Sequence, residues 1–307
     1  MSEDPRNAPE PVVSVVIPVR DGAEVIGDCL RALAAQSVGR EAFEAIVVDD
    51  GSRDRTAEIV GEAAPGMRLH LLGQAPAGAG AARNRGLEAA TGAWVAFTDA
   101  DCLPTRDWLR SLLARVGDGE ADDRALGVAG RTIGHLSRSD AARFVDLTAG
   151  LDAERHLSHP VFPFAPSGNV MYRRSALIDV GGFDPRYLSY EACDLHHRLR
   201  ARGGAFHYEP RAVVLHRHRV TWRQYWRQQR SYGRGYGQFF LHYRRQVPWS
   251  VGRELGAWLE TLHLTARALS PGAGEERLLR RGTAIKSLAQ RLGFVASYWN
   301  PLERGRW

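Results

Sequence analysis

Residues 12–18 read VVSVVIP and residues 43–48 read FEAIVV, and these two runs decide the fold. Runs rich in β-branched residues, without a polar alternation, are typical of strands buried on both faces of a parallel sheet. Residues 23–36, between the two runs, carry apolar residues at helical spacing. A strand, a helix and a second strand in this order predict a parallel α/β sheet.

The same alternation continues along the chain. It predicts helices at 54–63 and 79–90 and strands at 67–72, 94–98, 127–135 and 205–215. Beyond Thr221 the pattern becomes helical and aromatic, and residues 270–274 form a linker before a terminal helix. We therefore expect a flexible N-terminus at 1–11, a domain at 12–220 with a mostly parallel Rossmann-like sheet flanked by helices, and an α-helical C-terminal extension at 221–307.

Composition excludes several classes of protein. The chain has 307 residues, of which 44% are hydrophobic and 25% charged, so it is expected to be globular rather than disordered. No stretch approaches the roughly 18 uncharged apolar residues that a membrane span needs. The three cysteines form no CxxC pair, and residues 1–11 have no apolar segment typical of a signal peptide. A cytoplasmic location is expected.

The net charge of +6 arises from 41 Lys and Arg residues against 35 Asp and Glu residues. The basic residues are concentrated in the second half, where residues 198–245 are rich in arginine. This distribution suits anionic partners such as phosphates or lipid headgroups.

Acidic or turn-forming residues follow three of the predicted strands, at 18–21, 49–52 and 99–101. In open α/β sheets the loops at the carboxyl ends of the strands form the ligand crevice. Asp99 and Asp101 provide two hard oxygen donors of the kind that holds Mg²⁺ or Mn²⁺. The tripeptide alone would also suit a simple turn, but its position after a strand favours the metal.

Three further groups have both a functional and a structural interpretation. Asp49 and Asp50 could accept from a base N–H or a ribose hydroxyl, whereas Ser52 is better suited to capping the next helix. Arg83 lies early in a helix and could stand beside a diphosphate or simply face solvent. His216 and His218 follow an apolar strand, so one of them could complete a metal site, or both could belong to a polar surface.

Several segments in this order resemble the family-2 glycosyltransferases of the GT-A fold, over about residues 12–218. The segments that carry the resemblance are Val15–Val19, Val47–Thr56, Ala81–Gly86, Phe97–Asp101, Gly168–Asn169, Gly181–Asp184 and Glu191–Leu195. The resemblance implies a nucleoside-diphosphate-sugar donor, with UDP the expected nucleotide, an acceptor that bears a hydroxyl, and a Mg²⁺ or Mn²⁺ cofactor.

The resemblance also implies roles for individual residues. The donor nucleotide would lie against Pro18, Val19, Arg20, Asp49, Asp50, Ser52, Arg83, Asp99 and Ala100. The metal would be held by Asp99, Asp101 and His216, and the donor sugar or the acceptor would lie near Gly168 and Asn169. Transfer in this family usually inverts the anomeric centre.

One departure from the family concerns the catalytic base. The family commonly has Glu-Asp where this chain has Glu191-Ala192, and the missing aspartate is the usual base. We expect Glu191 to take that role. Asp194, one helical turn away, is the alternative, although it could equally be a structural carboxylate paired with Arg198.

Other interpretations remain open from the sequence alone. The change at Ala192 allows a catalytically impaired member of the family. The arginine and aromatic residues at 217–245 could bind nucleic acid, although packed aromatic residues are the more usual reason for this spacing, and no nucleic-acid partner is expected. A nucleotidyltransferase would need a glycine-rich basic loop after the first strand, and residues 18–22 match this poorly. The amphipathic tail at 251–307 could pack on its own domain, cover the acceptor cleft, pair two protomers or lie on the inner face of a membrane.

Overall fold

The computed structural model describes residues 10–63, 66–117, 125–148, 150–160, 162–246 and 250–300. Most of the predicted flexible N-terminus, residues 1–9, lies outside them. The described residues form two compact units. The sheet unit is drawn from Met1–Ile133, Leu151–Pro185 and Ala192–His216, and the helical unit from Gly134–Gly150, Arg186–Glu191 and Arg217–Trp307.

The described elements have the following bounds, in chain order. The strands are β1 Val13–Val19, β2 Phe43–Asp49, β3 Leu69–Gly73, β4 Trp94–Thr98, β5 Cys102–Pro104, β6 Ala125–Gly134, β7 Asn169–Arg173 and β8 Ala205–His216. The helices are α1 Ile26–Ala34, α2 Thr56–Glu62, α3 Ala79–Ala89, α4 Trp108–Val116, α5 Asp140–Leu147, α6 Ala153–Leu157, α7 Arg174–Asp179, α8 Glu191–Arg200, α9 Trp222–His242, α10 Val251–Leu269 and α11 Gly274–Tyr298.

The sheet has eight strands in the order β3-β2-β1-β4-β7-β6-β8-β5. Strands β3, β2, β1 and β4 are parallel to one another, as predicted. The pairs β4–β7, β7–β6 and β8–β5 are antiparallel, so the sheet as a whole is mixed. The α/β class and the helical C-terminal region are confirmed.

The core lies on both faces of the sheet, and β1, an interior strand, contributes side chains to each face. Every residue of β1 is buried. Val15 and Ile17 pack in a cluster with Leu30 of α1, whereas Val16 packs with Ile46 and Phe97 in a second cluster. The run at 12–18, in which five of seven residues are Val or Ile, therefore reflects a strand that packs on both faces.

The helical unit is built around close packing of α9 and α11. A capping box formed by Thr221 and Gln224 starts α9. Glycine is required where these helices cross, because a Cβ at Gly233 would overlap the carbonyl oxygen of Gln290. Among the described residues, no helix combines the length and the apolar composition that a membrane span requires.

Candidate metal and donor site

The loops that follow β1, β2 and β4 share one edge of the sheet because these strands are parallel and in register. Val19 pairs with Asp49 across β1 and β2. The first two loops are joined by hydrogen bonds: the Asp21 amide donates to Ser52 Oγ at 2.8 Å, and the Arg53 amide donates to Asp21 Oδ1 at 2.8 Å. The structure thus brings together two of the three predicted loops through direct contacts.

The first of the residues predicted for the donor nucleotide lie on or just after β1 and in the turn after β2. Pro18 and Val19 belong to β1, and Arg20 lies half exposed at its end. The carboxylate of Asp49 accepts a hydrogen bond from the Ser52 amide at 2.9 Å, which fixes the turn after β2. Ser52 therefore braces the loop between β1 and α1, rather than capping α2, for which no side-chain cap is seen.

Asp50 anchors the loop before α3. Its buried carboxylate accepts from Gln74 Nε2 at 2.7 Å, from the Ala77 amide at 2.7 Å and from the Gly78 amide at 2.9 Å. Gly78 has a φ of +95°, in a region that side-chain-bearing residues rarely adopt. Three donors to one carboxylate hold this loop, which leads directly to the helix that carries Arg83.

The turn after β4 directs its first carboxylate to a buried arginine. Asp99 Oδ1 accepts from Arg83 Nη2 at 2.9 Å, and the Arg83 side chain is 4% exposed. The Arg83 guanidinium also lies 5.6 Å from the centre of the Phe183 ring. A Cβ at Gly168 would lie 3.0 Å from Asp99 Oδ2, so Gly168 allows the chain to pass close to this carboxylate. Ala100, between the two aspartates, is buried.

The second carboxylate of the turn meets the histidine at the end of β8. Strand β5 pairs with β8 so that Cys102 lies opposite His216. As a result, Asp101 Oδ1 lies 3.5 Å from His216 Nε2, with the two side chains 16% and 13% exposed. Of the three predicted metal ligands, the structure brings Asp101 and His216 together and pairs Asp99 with Arg83.

These residues fit a hard divalent cation. Candidate ligand atoms of Asp101, Cys102 and His216 all lie within 4.8 Å of one another. A carboxylate oxygen and an imidazole nitrogen suit Mn²⁺ or Mg²⁺, whereas a thiol suits softer metals. Burial, together with the carboxylates of Asp99 and Asp101, raises the pKa of the Cys102 thiol well above its usual value. By ligand chemistry, Asp101 and His216 are the members of this cluster that suit such a cation.

His218 has a different partner. In the helical unit, His218 Nε2 lies 2.8 Å from Asp146 Oδ1, and the histidine side chain is 5% exposed. This contact joins the segment that precedes α9 to α5. The two histidines of the HxH sequence thus have different partners: His216 lies beside Asp101, and His218 contacts Asp146 in the helical unit.

The side-chain amide of Asn169 forms hydrogen bonds within the protein through both its oxygen and its nitrogen. Its Oδ1 accepts from Trp108 Nε1 at 2.8 Å, and its Nδ2 donates to the carbonyl oxygens of Arg131 and Ala212 at 3.0 Å each. The residue is 1% exposed. The amide joins β7 to β6 and to β8, the strand that ends at His216, so its visible contribution is to position the strands.

The two candidates for the base differ in their surroundings. Asp194 is fully buried, and its Oδ2 accepts from Arg198 Nε at 2.9 Å and from Arg198 Nη2 at 2.6 Å. Arg198 also donates to the carbonyl oxygen of Gly182. Asp194 therefore holds Arg198, which fastens α8 to the loop after α7. Glu191, the first residue of α8, is half-buried.

Cys102, which lies beside the candidate ligands, and Trp108, which bonds Asn169, were not suggested by the sequence. β5 has only three residues, too few for any period to be recognised. The signal for Cys102 was its position directly after the Asp-Ala-Asp turn. Trp108 had no sequence signal, because its indole N–H acts through Asn169, 61 residues further along the chain.

A family model described as "Glycosyl transferase family 2" matches residues 14–181, more than half of the chain. The protein therefore belongs to glycosyltransferase family 2, which confirms the family to which its segments were compared. Its relatives include the pre-mycofactocin glycosyltransferase of Mycobacterium tuberculosis, 36% identical over 72% of this chain and 46% of that protein. Glycosyltransferase AglE of Haloferax volcanii is 32% identical over 64% of this chain and 63% of that protein. The chain thus spans about half to two thirds of the length of these relatives.

Solved structures confirm the GT-A fold. A mannosyltransferase from Pyrobaculum calidifontis, solved in complex with GDP-Man and Mn²⁺, superimposes with a TM-score of 0.70 at 20% identity, covering 95% of this chain and 88% of that one. The Staphylococcus aureus TarS fragment 1–349, solved with UDP-GlcNAc, gives a TM-score of 0.55 at 18% identity, with coverages of 93% and 89%. At these identities the likeness establishes the fold.

Proposed function

We propose that this chain is a metal-dependent glycosyltransferase that moves a sugar, with inversion, from a nucleoside-diphosphate-sugar to an acceptor hydroxyl. The observation that carries the proposal is that Asp101, in the turn after β4, lies 3.5 Å from His216 at the end of β8. Membership of the family supports the reaction class, and the GDP-Man and UDP-GlcNAc complexes of the structural neighbours support the donor class. UDP-sugars are the first donors to test and GDP-mannose the second.

The metal would be held by Asp101 and His216. When bound, a divalent cation neutralises the charge that builds up on the departing nucleoside diphosphate. Arg83 contributes a second, fixed positive charge, and its pairing with Asp99 holds the guanidinium in place. The donor nucleotide would lie against the loops fastened by Asp49, Asp50 and Ser52.

Glu191 is the proposed base. Asp194 is enclosed and bonded to Arg198, so its carboxylate is committed to the fold. Glu191 is half-buried at the first position of α8. Its carboxylate would remove the proton of the acceptor hydroxyl as the oxygen attacks the anomeric carbon, and a single direct attack of this kind gives inversion.

The metal assignment is tested by two histidine variants of the full chain. Mn²⁺ alone is titrated into the parent, His216→Gln and His218→Gln by calorimetry. We expect His216→Gln to weaken Mn²⁺ binding at least about tenfold, because one of two fitting ligands is lost. His218→Gln is the matched control: it should lower stability by breaking the contact to Asp146 but leave Mn²⁺ affinity unchanged. Equal effects of the two variants on Mn²⁺ binding would contradict the assignment.

The base is tested separately with Glu191→Gln. Removal of a general base typically costs on the order of 10²- to 10⁴-fold in rate. The variant should lose that much kcat and bind donor nearly as well as the parent. Near-normal turnover by Glu191→Gln would exclude Glu191. A parent that binds UDP-, GDP- or dTDP-sugars but neither transfers nor hydrolyses them would instead establish the catalytically impaired alternative.

A further inference from the structure

Helix α10 carries an apolar face that the described structure leaves uncovered. We call it the α10 leucine face; its members are Val251, Leu255, Leu259, Leu262 and Leu269. Each of these side chains is between 60% and 85% exposed. They recur at intervals of three, four or seven residues, which places them on one side of the helix. Contiguous exposed apolar surfaces of this kind usually mark a contact with a partner or a membrane.

The other side of α10 already has its partner. Thr261 Oγ1 lies 2.7 Å from Ser287 Oγ of α11, and Glu254 is paired with Arg291 of α11 at 3.2 Å. Thr261 is almost fully buried in this contact. The leucine face is therefore not required to attach α10 to its own unit, and it remains available for a second surface.

The net charge of the C-terminal segment that contains α10 indicates what that surface is. Residues 217–307 contain 17 Lys and Arg residues against 5 Asp and Glu residues, a net charge of +12. Residues 1–216 contain 24 against 30, a net charge of −6. On α10 itself Arg253 and Arg267 are exposed, and one of the two acids, Glu254, is engaged by Arg291. Two copies of so basic a segment would repel each other, whereas an acidic surface would attract it.

We propose that α10 lies flat on an anionic lipid bilayer, with its leucine face among the acyl chains at the interface and its arginines at the level of the headgroups. An in-plane helix needs a broad apolar arc and basic residues on its polar face. At about 100° per residue, Arg253 and Arg267 fall on the polar side of α10, opposite the leucine face. The occupant of the leucine face is thus a membrane that contains acidic phospholipid.

The proposal is tested by vesicle sedimentation of the full chain. Vesicles of pure phosphatidylcholine are compared with vesicles of equimolar phosphatidylcholine and phosphatidylglycerol, at low and high salt. We expect the parent to bind the anionic vesicles, with affinity that falls as salt rises. The double variant Leu255→Ser with Leu262→Ser should bind at least about tenfold more weakly. It removes two apolar side chains that would enter the bilayer, and it leaves the charge unchanged.

The matched control is Gly252→Ser with Gly256→Ser on the same helix. A Cβ at either glycine meets no atom within 4 Å, so these serines add polar groups without disturbing the fold or removing a leucine. The control should bind vesicles as the parent does, and circular dichroism should show all three proteins folded.

Three results would overturn the proposal. One is equal vesicle binding by the parent and the leucine variant. Another is that the parent forms a dimer in the absence of lipid and the leucine variant does not, because a second copy would then cover the face. The third is salt-dependent binding to single-stranded DNA with no binding to either kind of vesicle, which would assign the basic segment to nucleic acid.

Discussion

His196 makes the stability of the sheet unit depend on pH. The side chain is fully buried beside Phe206, with ring centres 3.8 Å apart. Its Nδ1 accepts from the Ala165 amide at 3.3 Å, and among the described residues its Nε2 has no hydrogen-bond partner. Burial, and secondarily the charge of Arg200, lowers the pKa of His196 from 6.5 to about 3. The folded protein therefore keeps this imidazole neutral.

The magnitude follows from the two pKa values. In the unfolded chain the histidine binds a proton with a pKa near 6.5. The free energy of unfolding therefore decreases as pH falls below 6.5, and this decrease continues down to about pH 3. Each pH unit inside this window is worth about 1.4 kcal/mol. Between about pH 7.5 and pH 5, His196 should therefore destabilise the sheet unit by about 2 kcal/mol.

The assay is hydrogen exchange measured by mass spectrometry on peptides that cover β7, because it reports the sheet unit separately from the helical unit. His196→Asn keeps an acceptor for the Ala165 amide but cannot be protonated. Its opening free energy should drop between the two pH values by about 2 kcal/mol less than that of the parent. His159→Asn, an exposed site in the same unit, is the control and should behave as the parent. If His196→Asn retained the whole pH-dependent loss, the histidine would not be the group responsible.

Three other outcomes are expected. Asn169→Ala should cost the sheet unit about 3 kcal/mol in urea unfolding, because it leaves the buried indole of Trp108 and two carbonyl groups without partners; a loss below about 1 kcal/mol would contradict this. Gly282→Ala should destabilise the helical unit by about 1–3 kcal/mol, since the new methyl group would overlap the Phe144 ring. Gly256→Ala, in open space, should instead stabilise α10 by about 1 kcal/mol. Thermal melts in which both variants shifted stability in the same direction would refute this contrast. Chelation with EDTA should abolish sugar transfer and Mn²⁺ should restore it, and full turnover in EDTA would exclude metal dependence.

The sequence predicted the parallel half of the fold because burial on both faces leaves a period-free β-branched run, as in β1. It did not predict β7, whose five residues pair antiparallel with β4 from more than seventy positions away. Nor did it predict β5, which exists because it pairs with β8 rather than because of its own three residues. Local pattern indicates strands that bury their own side chains, whereas short strands depend on partners that only the tertiary structure supplies.

The candidate site shows the same division. The order of motifs identified the turn at 99–101 and the histidine at 216, which the structure places together. It could not distinguish the tasks of neighbouring polar residues. Asp194 was left open between base and structural carboxylate. The structure shows it fully buried, and its i+4 partner Arg198 donates to the carbonyl oxygen of Gly182, sixteen residues away, which indicates the structural role. Hydrogen-bond partners distant in sequence, rather than residue type, decide such assignments.

The need to neutralise Arg83 explains why the two carboxylates of the Asp-Ala-Asp turn have different partners. A guanidinium that is 4% exposed would be costly to bury without an acidic partner, and Asp99 provides one at 2.9 Å. Gly168 supports this pairing, because any larger residue would press on Asp99. The first carboxylate is thus engaged by the protein's own cation. Under the proposed function, Asp101, two residues further on and beside His216, is the carboxylate that would hold the metal. Under the same proposal, Asp99→Ala should lower the stability of the sheet unit as well as donor binding, whereas Asp101→Ala should weaken Mn²⁺ binding and leave the protein folded.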